Sequence, residues 1–464
     1  MCGQTIHSYA GWTPKAEEYP IVRLERAAHK TRNWERFDQT QVLIIDEISM
    51  VSNFTLSRLD RIMRSARIAS RPFGGVQVII TGDFYQLPPV KPFKHCFTCG
   101  GAMLENQDKY YCNEDDHMFL EEEKWAFCAP VWAKCDFRCF ELTRIHRQAD
   151  RVFSELLNKR RQGLSFSEEE EEMLFGPRPD FDDSKAVKIY PFRSKVAAIN
   201  ETQLNELPGE PIRFGCVDGY EWNRDLHPEL EGRFDRLTPG DETCCFRAYA
   251  GEDRHRLDDS SRLKEGMPVI LLANVDPKRR LVNGSRGTIV GFEHSVKELL
   301  PRARRSWKDK SMHGEWLLSG DHARYQEAEI RKFNARATDK RWPVVQFDDG
   351  VTCAIYPYCE VQELGVVHED GTQERFSLMS RTQIPLVAGW AITTHKSQGM
   401  TLDRAIIDMS GSWECGQVYV ALSRVRSLQG LKVYDLARGR AMRASGTVQA
   451  FMRRCFGKGQ GVDG

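Results

Sequence analysis

The sequence predicts an α/β chain, with helices layered on parallel sheets and one small β-rich insertion. Three observations predict it. Two short apolar runs, Gln41-Val42-Leu43-Ile44-Ile45 and Val76-Gln77-Val78-Ile79-Ile80, end in Asp46-Glu47 and Thr81-Gly82-Asp83, with a helix-period segment between them. Alternating apolar residues return at Ile384 and run to about Asp435. Between these regions, residues 262–383 carry short strands punctuated by turn dipeptides.

Short apolar runs bounded by turn residues fit strands of a parallel sheet buried on both faces. The helix between the first two is expected over Phe54 to Ser70, with Leu56, Leu59, Met63 and Ala66 on its apolar face. Arg71-Pro72 and Gly74-Gly75 end it. In such sheets ligands sit beyond the carboxyl ends of the strands, where the acidic and polar residues lie. Lys91–Cys139 breaks the pattern with Cys, aromatic and acidic residues. Regular structure resumes at Glu141-Leu142, with a helix around Ala149–Arg161. Ser167 before Glu168–Glu172 reads as an N-cap and a solvated, acidic first turn. In the insertion, Pro268–Leu272, Gly287–Gly291 and Pro343–Phe347 read as strands, and Asn283-Gly284 and Asp349-Gly350 as turns. A charged segment, Lys297–Arg341, interrupts it with twelve Lys/Arg against seven Asp/Glu.

A chain of 464 residues suggests about three domains. At 41% hydrophobic and 28% charged it can bury a sizeable core. No apolar run approaches the roughly 20 residues of a membrane span, and the start carries no signal-peptide core. The 66 basic and 66 acidic residues cancel, so a nucleic-acid surface must be a local patch. The 14 cysteines are spread through the chain and suit reduced thiols or metal ligands better than a disulfide scaffold.

An apolar strand ending in Asp46-Glu47 has a physical use in phosphoryl transfer: one acid holds Mg²⁺ and the other polarises the attacking water. Alone the pair is weak, since acids often start a helix. Gln86, in Gly82-Asp83-Phe84-Tyr85-Gln86-Leu87-Pro88-Pro89, stands just past the neighbouring strand. There it could bond a γ-phosphate or the water, or belong to an ordinary turn. Leu142-Thr143-Arg144-Ile145-His146-Arg147-Gln148 and Val418–Arg426 each hold arginines among apolar residues. Such arginines suit phosphate across a cleft or a surface ion pair. Between them, Thr393-Thr394-His395-Lys396-Ser397-Gln398-Gly399 is a run of donors suited to a phosphate backbone.

Together these segments resemble the ordered motifs of superfamily-one helicases, most closely the PIF (petite integration frequency) DNA helicases related to RecD. Gln4–Gly11 is similar to motif Ia, Asp46–Met50 to motif II and Gly82–Pro89 to motif III. Leu142–Gln148 is similar to motif IV, Ala391–Leu402 to motif V and Tyr419–Leu431 to motif VI. Leu59–Arg67 with Pro72–Gly75 resembles the family's signature segment, and Leu281–Gly287 the opening of its 2B domain.

The resemblance implies two RecA-like P-loop-type motor domains with parallel sheets plus a small SH3-like β-barrel. The boundaries would be 1–140 for motor 1A, with a knuckle insertion at 91–139, and 141–261 plus 384–440 for motor 2A. The barrel 2B would be 262–383 with its charged insertion at 297–341, and 441–464 a tail. It implies a monomeric ATP-dependent DNA helicase moving 5′→3′ on single-stranded and forked DNA, in repair, recombination and telomere maintenance. The compartment expected is the nucleus, with the mitochondrion as alternative. Asp46 would hold Mg²⁺, Glu47 act as base, Gln86 sense the γ-phosphate, and Arg147 and Arg424 serve as arginine fingers. Gln398 and Gly399 would adjoin the ATP, and His7, His395, Lys396 and Ser397 the DNA.

The family's Gly-x-x-x-x-Gly-Lys-Ser/Thr phosphate loop does not occur; the only Gly-Lys is Gly457-Lys458. The expectation is a chain truncated before motif Ia, inactive on its own. The alternative is a nucleic-acid-binding protein without ATPase activity. Cys96-x₂-Cys99, Cys112 and His117 have the residue types and spacing of a zinc site, against unrelated free thiols. Because that segment has little apolar material, a metal would help it fold. Cys128, Cys135 and Cys139 are expected in the core. Arg58, Arg61, Arg64 and Arg67 form a stripe read as a solvated face in preference to a phosphate contact.

Overall fold

The computed structural model describes residues 5–12, 14–29, 31–178, 180–183, 186–221, 257–276, 279–294, 299–305, 316–318, 322–364, 377–436 and 443–457. The chain forms two compact units, one of Thr5–Val196 with Ile392–Gly464, the other holding Ala197–Ala391. The expected small β domain therefore belongs to a larger unit. Gln4, Pro277-Lys278 and Lys458 lie outside the described residues.

In the first unit, strands Val42–Ile45 and Gln77–Ile80 pair in parallel, Val42 opposite Gln77 and Ile45 opposite Ile80. Their apolar runs predict burial on both faces, and the structure differs. Leu43, Ile45, Val78 and Ile80 face the core, while Val42, Ile44 and Ile79 are exposed. The alternation of a strand sends successive side chains to opposite faces, and helix Asn53–Ala66 lies against one of them. Ser52 caps this helix through Thr55 N at 3.0 Å. Leu56, Leu59, Ile62, Met63 and Ala66 fill its buried side. The helix stops earlier than its pattern predicts, because Ile68 turns left-handed at φ 49° and Pro72–Gly75 forms a separate 3₁₀ turn. Asp60, inside the helix, accepts from Phe73 N at 2.7 Å and pins that turn.

The Cys-rich segment forms a three-stranded antiparallel sheet of Leu104–Asn106, Lys109–Tyr111 and Met118–Leu120. It is less short of apolar material than its composition suggests. Phe54 packs edge-on against Phe93 and Phe119 at 4.9 and 4.7 Å, and Phe93 stacks on Phe119 at 5.6 Å. Of the three cysteines expected in the core, Cys128 and Cys135 are half-buried and Cys139 is exposed.

Helix Arg151–Arg161 is capped by Asp150. Helix Glu168–Phe175 starts in a capping box of Ser167 and Glu170, as its sequence predicts. The unit's second sheet orders Ala391–Thr393, Val187–Tyr190, Ala405–Asp408 and Leu431–Asp435, the last three parallel. Its buried Val187, Ile189, Ile406, Ile407 and Leu431 bear out the apolar pattern to about Asp435.

The other unit centres on a five-stranded antiparallel sheet, ordered Thr352–Ala354, Arg341–Phe347, Arg286–His294, Pro268–Leu271 and Leu386–Ala388. Val269, Leu271, Ile289, Trp342 and Val345 form its core with Phe333 of helix Ala323–Arg336, which lies inside the charged insertion. A second sheet joins Val217–Glu221, Ser377–Gln383 and Tyr358–Leu364, locked by a bidentate pair of Arg381 with buried Asp218 at 2.7 and 2.8 Å. No described helix is long and apolar enough to cross a membrane.

Candidate functional site

The site is built at the ends of the parallel strands Val42–Ile45 and Gln77–Ile80. Because the strands are in register, Asp46 and Thr81 follow at the same level. The Thr81 hydroxyl donates to Asp46 Oδ1, and Glu47 N donates to the same oxygen at 2.9 Å. Glu47 is left-handed at φ 53°, an unusual backbone for a glutamate. Such outliers concentrate at functional sites. Ile48 N bonds Thr81 O at 3.1 Å, closing the two loops on each other. Gly82 makes this possible, since a Cβ there would stand 2.8 Å from Ile48 N.

Three later segments come together near Glu47. Gln398 Nε2 donates to Glu47 Oε2 at 3.1 Å, across 351 positions of sequence. Arg147 donates through Nε to Thr401 Oγ1 and through Nη1 to Ser423 O, both at 3.0 Å. Gln148 bonds Ser423 O and Val425 O at 3.0 and 2.8 Å. Arg424 is almost fully buried, donating through Nε to Val420 O at 2.8 Å and through Nη2 to Ser423 Oγ at 2.6 Å. Burial and repulsion from Arg147 lower its pKa to about 10, which leaves it charged at neutral pH; Tyr419, Glu47 and Asp83 pull the other way. Arg147 is likewise lowered by burial, against Tyr419 and Glu47. Two guanidiniums are thus held within electrostatic reach of Glu47, an arrangement suited to a polyanion.

Gln86 follows a turn in which its N bonds Asp83 O at 2.9 Å. Its Oε1 and that of Gln398 are buried without a hydrogen-bond partner, a cost that a bound group would relieve. Gly416 stands against this turn at φ 82°, and Gly399 is left-handed at φ 77° with open space around it.

His395 and Lys396 lie on the short turn Thr394–Ser397, with Lys396 exposed and His395 half-buried. Burial and Arg193 keep the His395 pKa below its ordinary 6.5, against a weaker pull from Glu414. His7 sits edge-on to Trp12 at 5.6 Å. Burial and then Arg58 lower its pKa, with Glu17 opposing. Ser397 departs from expectation. It is fully buried and its hydroxyl donates to Thr394 O at 2.7 Å, so it shapes the turn and offers no hydroxyl to a strand.

The structure corrects two further expectations. The arginine stripe is not a solvated face. Arg58 is buried and donates to Glu17 O and Cys96 O at 3.1 and 3.0 Å. Arg61 pairs with Glu25 at 2.8 Å and Arg64 with Asp60 at 3.6 Å. Arg67 donates to the carbonyls of Phe37 and Asp38 at 2.6 and 2.7 Å. These arginines fasten neighbouring segments to the helix. In the Cys-rich segment, Cys96, Cys99 and Cys112 come together as predicted, and the fourth member of the group is Asp115 instead of His117.

Sequence reasoning missed a clamp beside the site. Asp83 receives Arg161 Nε and Nη2 at 2.8 and 3.0 Å and the Tyr419 hydroxyl at 3.3 Å. Burial works to lower the Arg161 pKa, and the Asp83 bonds outweigh it and leave it raised. The only signal for Asp83 and Thr81 was their place just after a strand.

Known proteins resemble this chain in sequence and in fold. A family model described as PIF1-like helicase covers residues 1–98, and one described as the 2B domain of DNA helicase Pif1 covers 254–292. The ATP-dependent DNA helicase PIF1 of Homo sapiens is 31% identical over 439 residues, 93% of this chain and 52% of its own length. The chain belongs to the PIF1-like helicase family. A Psychrobacter relative, also an ATP-dependent DNA helicase Pif1, is 31% identical over 454 residues, 94% of this chain and 59% of its own. The chain thus spans about half the length of the curated PIF1 relatives it matches. Among solved structures, the Pif1 helicase of Candida albicans aligns with a TM-score of 0.65 at 26% identity, covering 97% of this chain and 85% of that one. A Pif1 helicase from Bacteroides, in complex with ADP-AlF3 and ssDNA, shares the fold at a TM-score of 0.59 and 24% identity, over 98% of this chain and 83% of that one.

Proposed function

We propose that the protein is an ATP-dependent DNA helicase that moves 5′→3′ on single-stranded DNA and opens forks. One observation carries this reading: Glu47, at the end of the first strand, is held by Gln398 while Arg147 and Arg424 gather around Ser423 beside it. Family membership and the nucleotide and ssDNA named for the Bacteroides relative support it.

The residues fit a nucleotide with Mg²⁺. Asp46 and Thr81 offer oxygens at the strand ends, and Gln86 and Gln398 each keep a buried, unpartnered oxygen. A bound Mg²⁺ would neutralise phosphate charge. Glu47, fixed by Gln398, would accept the proton of the attacking water. Arg147 and Arg424 would exchange bonds to Ser423 for phosphate oxygens, supplying charge where it develops. Because the segments that grip the acids also carry His395 and Lys396, filling or emptying the site would shift the DNA-contacting turn, coupling hydrolysis to movement. Repair, recombination and telomere maintenance in the nucleus is the setting this reading carries.

The test joins a phosphate-binding loop, a pattern that does not occur in the 464-residue sequence, to the protein's N-terminus. The fused protein should unwind a 5′-tailed fork with ATP and leave a 3′-tailed fork intact. Binding of single strands with no unwinding of either fork would favour the binding-only alternative.

A further inference from the structure

A second group of side chains converges away from the acids described above. Cys96, Cys99, Cys112 and Asp115 each bring one ligand atom to within 4.8 Å of all the others. Cys99 Sγ lies 3.5 Å from Cys112 Sγ, and Cys96 Sγ 3.7 Å from Asp115 Oδ2. A tetrahedral zinc with Zn–S bonds of about 2.3 Å sets its ligands roughly 3.8 Å apart, close to these spacings.

His117 competes for the fourth place, since its Nδ1 is 3.8 Å from Cys96 Sγ. The backbone decides against it. Each turn is closed by the same backbone bond five residues on, Cys96 N to Gly101 O at 2.8 Å and Cys112 N to His117 O at 2.9 Å. Within each turn one residue is left-handed, Gly100 at φ 78° and Asp116 at φ 50°. The chain builds the same turn twice, and Asp115 occupies in the second the place that Cys99 occupies in the first.

We propose that Cys96, Cys99, Cys112 and Asp115 hold a structural zinc ion, with His117 beside the metal and not bound to it. Three thiolates and a carboxylate leave the centre net negative, and the buried Arg58 guanidinium, near Cys96, offsets part of that charge. Zinc binding would release the thiol protons and needs no oxidant or reductant. The ion would also brace the motor domain. The first turn accepts Ile21 N at Thr98 O, 3.0 Å, and shares Arg58 with Glu17 O. It also packs so closely that a Cβ on Gly100 would stand 2.4 Å from Glu18 O. Losing the metal would therefore loosen residues 14–21 as well as the small sheet. This inference stands apart from the helicase reading, because metal content is measured without ATP or DNA.

The experiment uses the 464-residue protein purified without chelator. Elemental analysis should find about one zinc per chain, and X-ray absorption should show three sulfur neighbours and one lighter one, as the four ligands imply. Asp115→Ala should weaken zinc retention against a chelator by at least about tenfold, while His117→Ala keeps it. Hydrogen exchange over residues 14–21 should rise when zinc is stripped. No metal, or a shell of two or four sulfurs in the wild-type protein, would overturn the site even if a variant failed to fold. Loss of zinc from His117→Ala but not from Asp115→Ala would overturn the ligand assignment.

Discussion

Gly416→Ala is a direct probe of how tightly the segment that carries Arg424 closes on the turn that carries Gln86. A Cβ at 416 would stand 2.6 Å from Gln86 O and 2.7 Å from Tyr85 O, whereas ordinary contact begins at 3.4 Å. The two backbones would have to part by roughly 0.8 Å, an overpacking that typically costs about 1–3 kcal/mol. Alanine in a left-handed conformation adds about 1–2 kcal/mol. Gly399→Ala separates these effects: its φ of 77° matches the 82° of Gly416, yet nothing lies within 4 Å of its Cβ position. Gly399→Ala should therefore show the left-handed cost alone, and Gly416→Ala that cost plus the clash. At about 2–4 °C per kcal/mol for a unit of this size, Gly416→Ala should melt several degrees below Gly399→Ala in a thermal scan. A displacement approaching 1 Å in a phosphoryl-transfer site can cost on the order of 100-fold in rate, and ATP turnover in the loop-bearing fusion should fall accordingly. Equal melting temperatures for the two variants would refute the close approach and the reasoning built on it.

Other consequences can be measured. Arg58→Met should destabilise the protein by about 2–4 kcal/mol in urea, because it strands the buried Cys96 carbonyl and the half-buried Glu17 carbonyl, and should leave the salt slope of DNA binding unchanged; a shallower slope would restore the phosphate-contact reading. Lys396→Ala should weaken single-strand binding for all sequences alike and reduce the salt slope by about one, and an effect confined to one sequence would contradict this. His7 and His395 both have pKa values lowered below 6.5, chiefly by burial. The unfolded chain then binds more protons than the folded one, so their contribution is intact above 6.5 and lost as pH falls toward the lowered values. Replacing both with Gln should flatten the decline in melting temperature between about pH 6.5 and 5, and an unchanged decline would remove these residues from the account. Without an added loop, the 464-residue polypeptide should hydrolyse ATP no faster than background even with single-stranded DNA, since its sequence holds no Gly-x-x-x-x-Gly-Lys-Ser/Thr loop to anchor the phosphates. Robust turnover would show that the site holds phosphate by another route.

Much of this was legible in the sequence because it is local. Ser167 and Glu170 announce their helix start by spacing alone, and Asp46-Glu47 end an apolar run that could hardly be anything but a strand. The order of motifs showed which distant segments belong together, and Gln398 reaches Glu47 as their joint presence suggests. What stayed hidden depends on long-range packing. Arg58 recurs with its stripe at helical spacing, and no pattern tells that a cysteine turn 38 residues away covers it. The pairing of Asp83 with Arg161 spans 78 positions between two common surface residues. Asp115 was invisible among neighbouring acids until the repeated turn set it opposite Cys99. Val42 and Ile44 misled for the opposite reason: an uninterrupted apolar run conceals which side chains face the core and which face out.

The central claim is that Glu47 and the arginines gathered near it form a phosphoryl-transfer site driven by DNA. The most direct measurement is steady-state ATP hydrolysis by the loop-bearing fusion, with and without single-stranded DNA, for the native sequence and for Glu47→Gln. The account predicts turnover that rises with DNA in the native protein. In the variant that turnover should fall by on the order of 100-fold or more, the usual contribution of a general base, while binding of a fluorescent ATP analogue is retained. Glu47→Gln turning over ATP at the native rate would contradict the assignment.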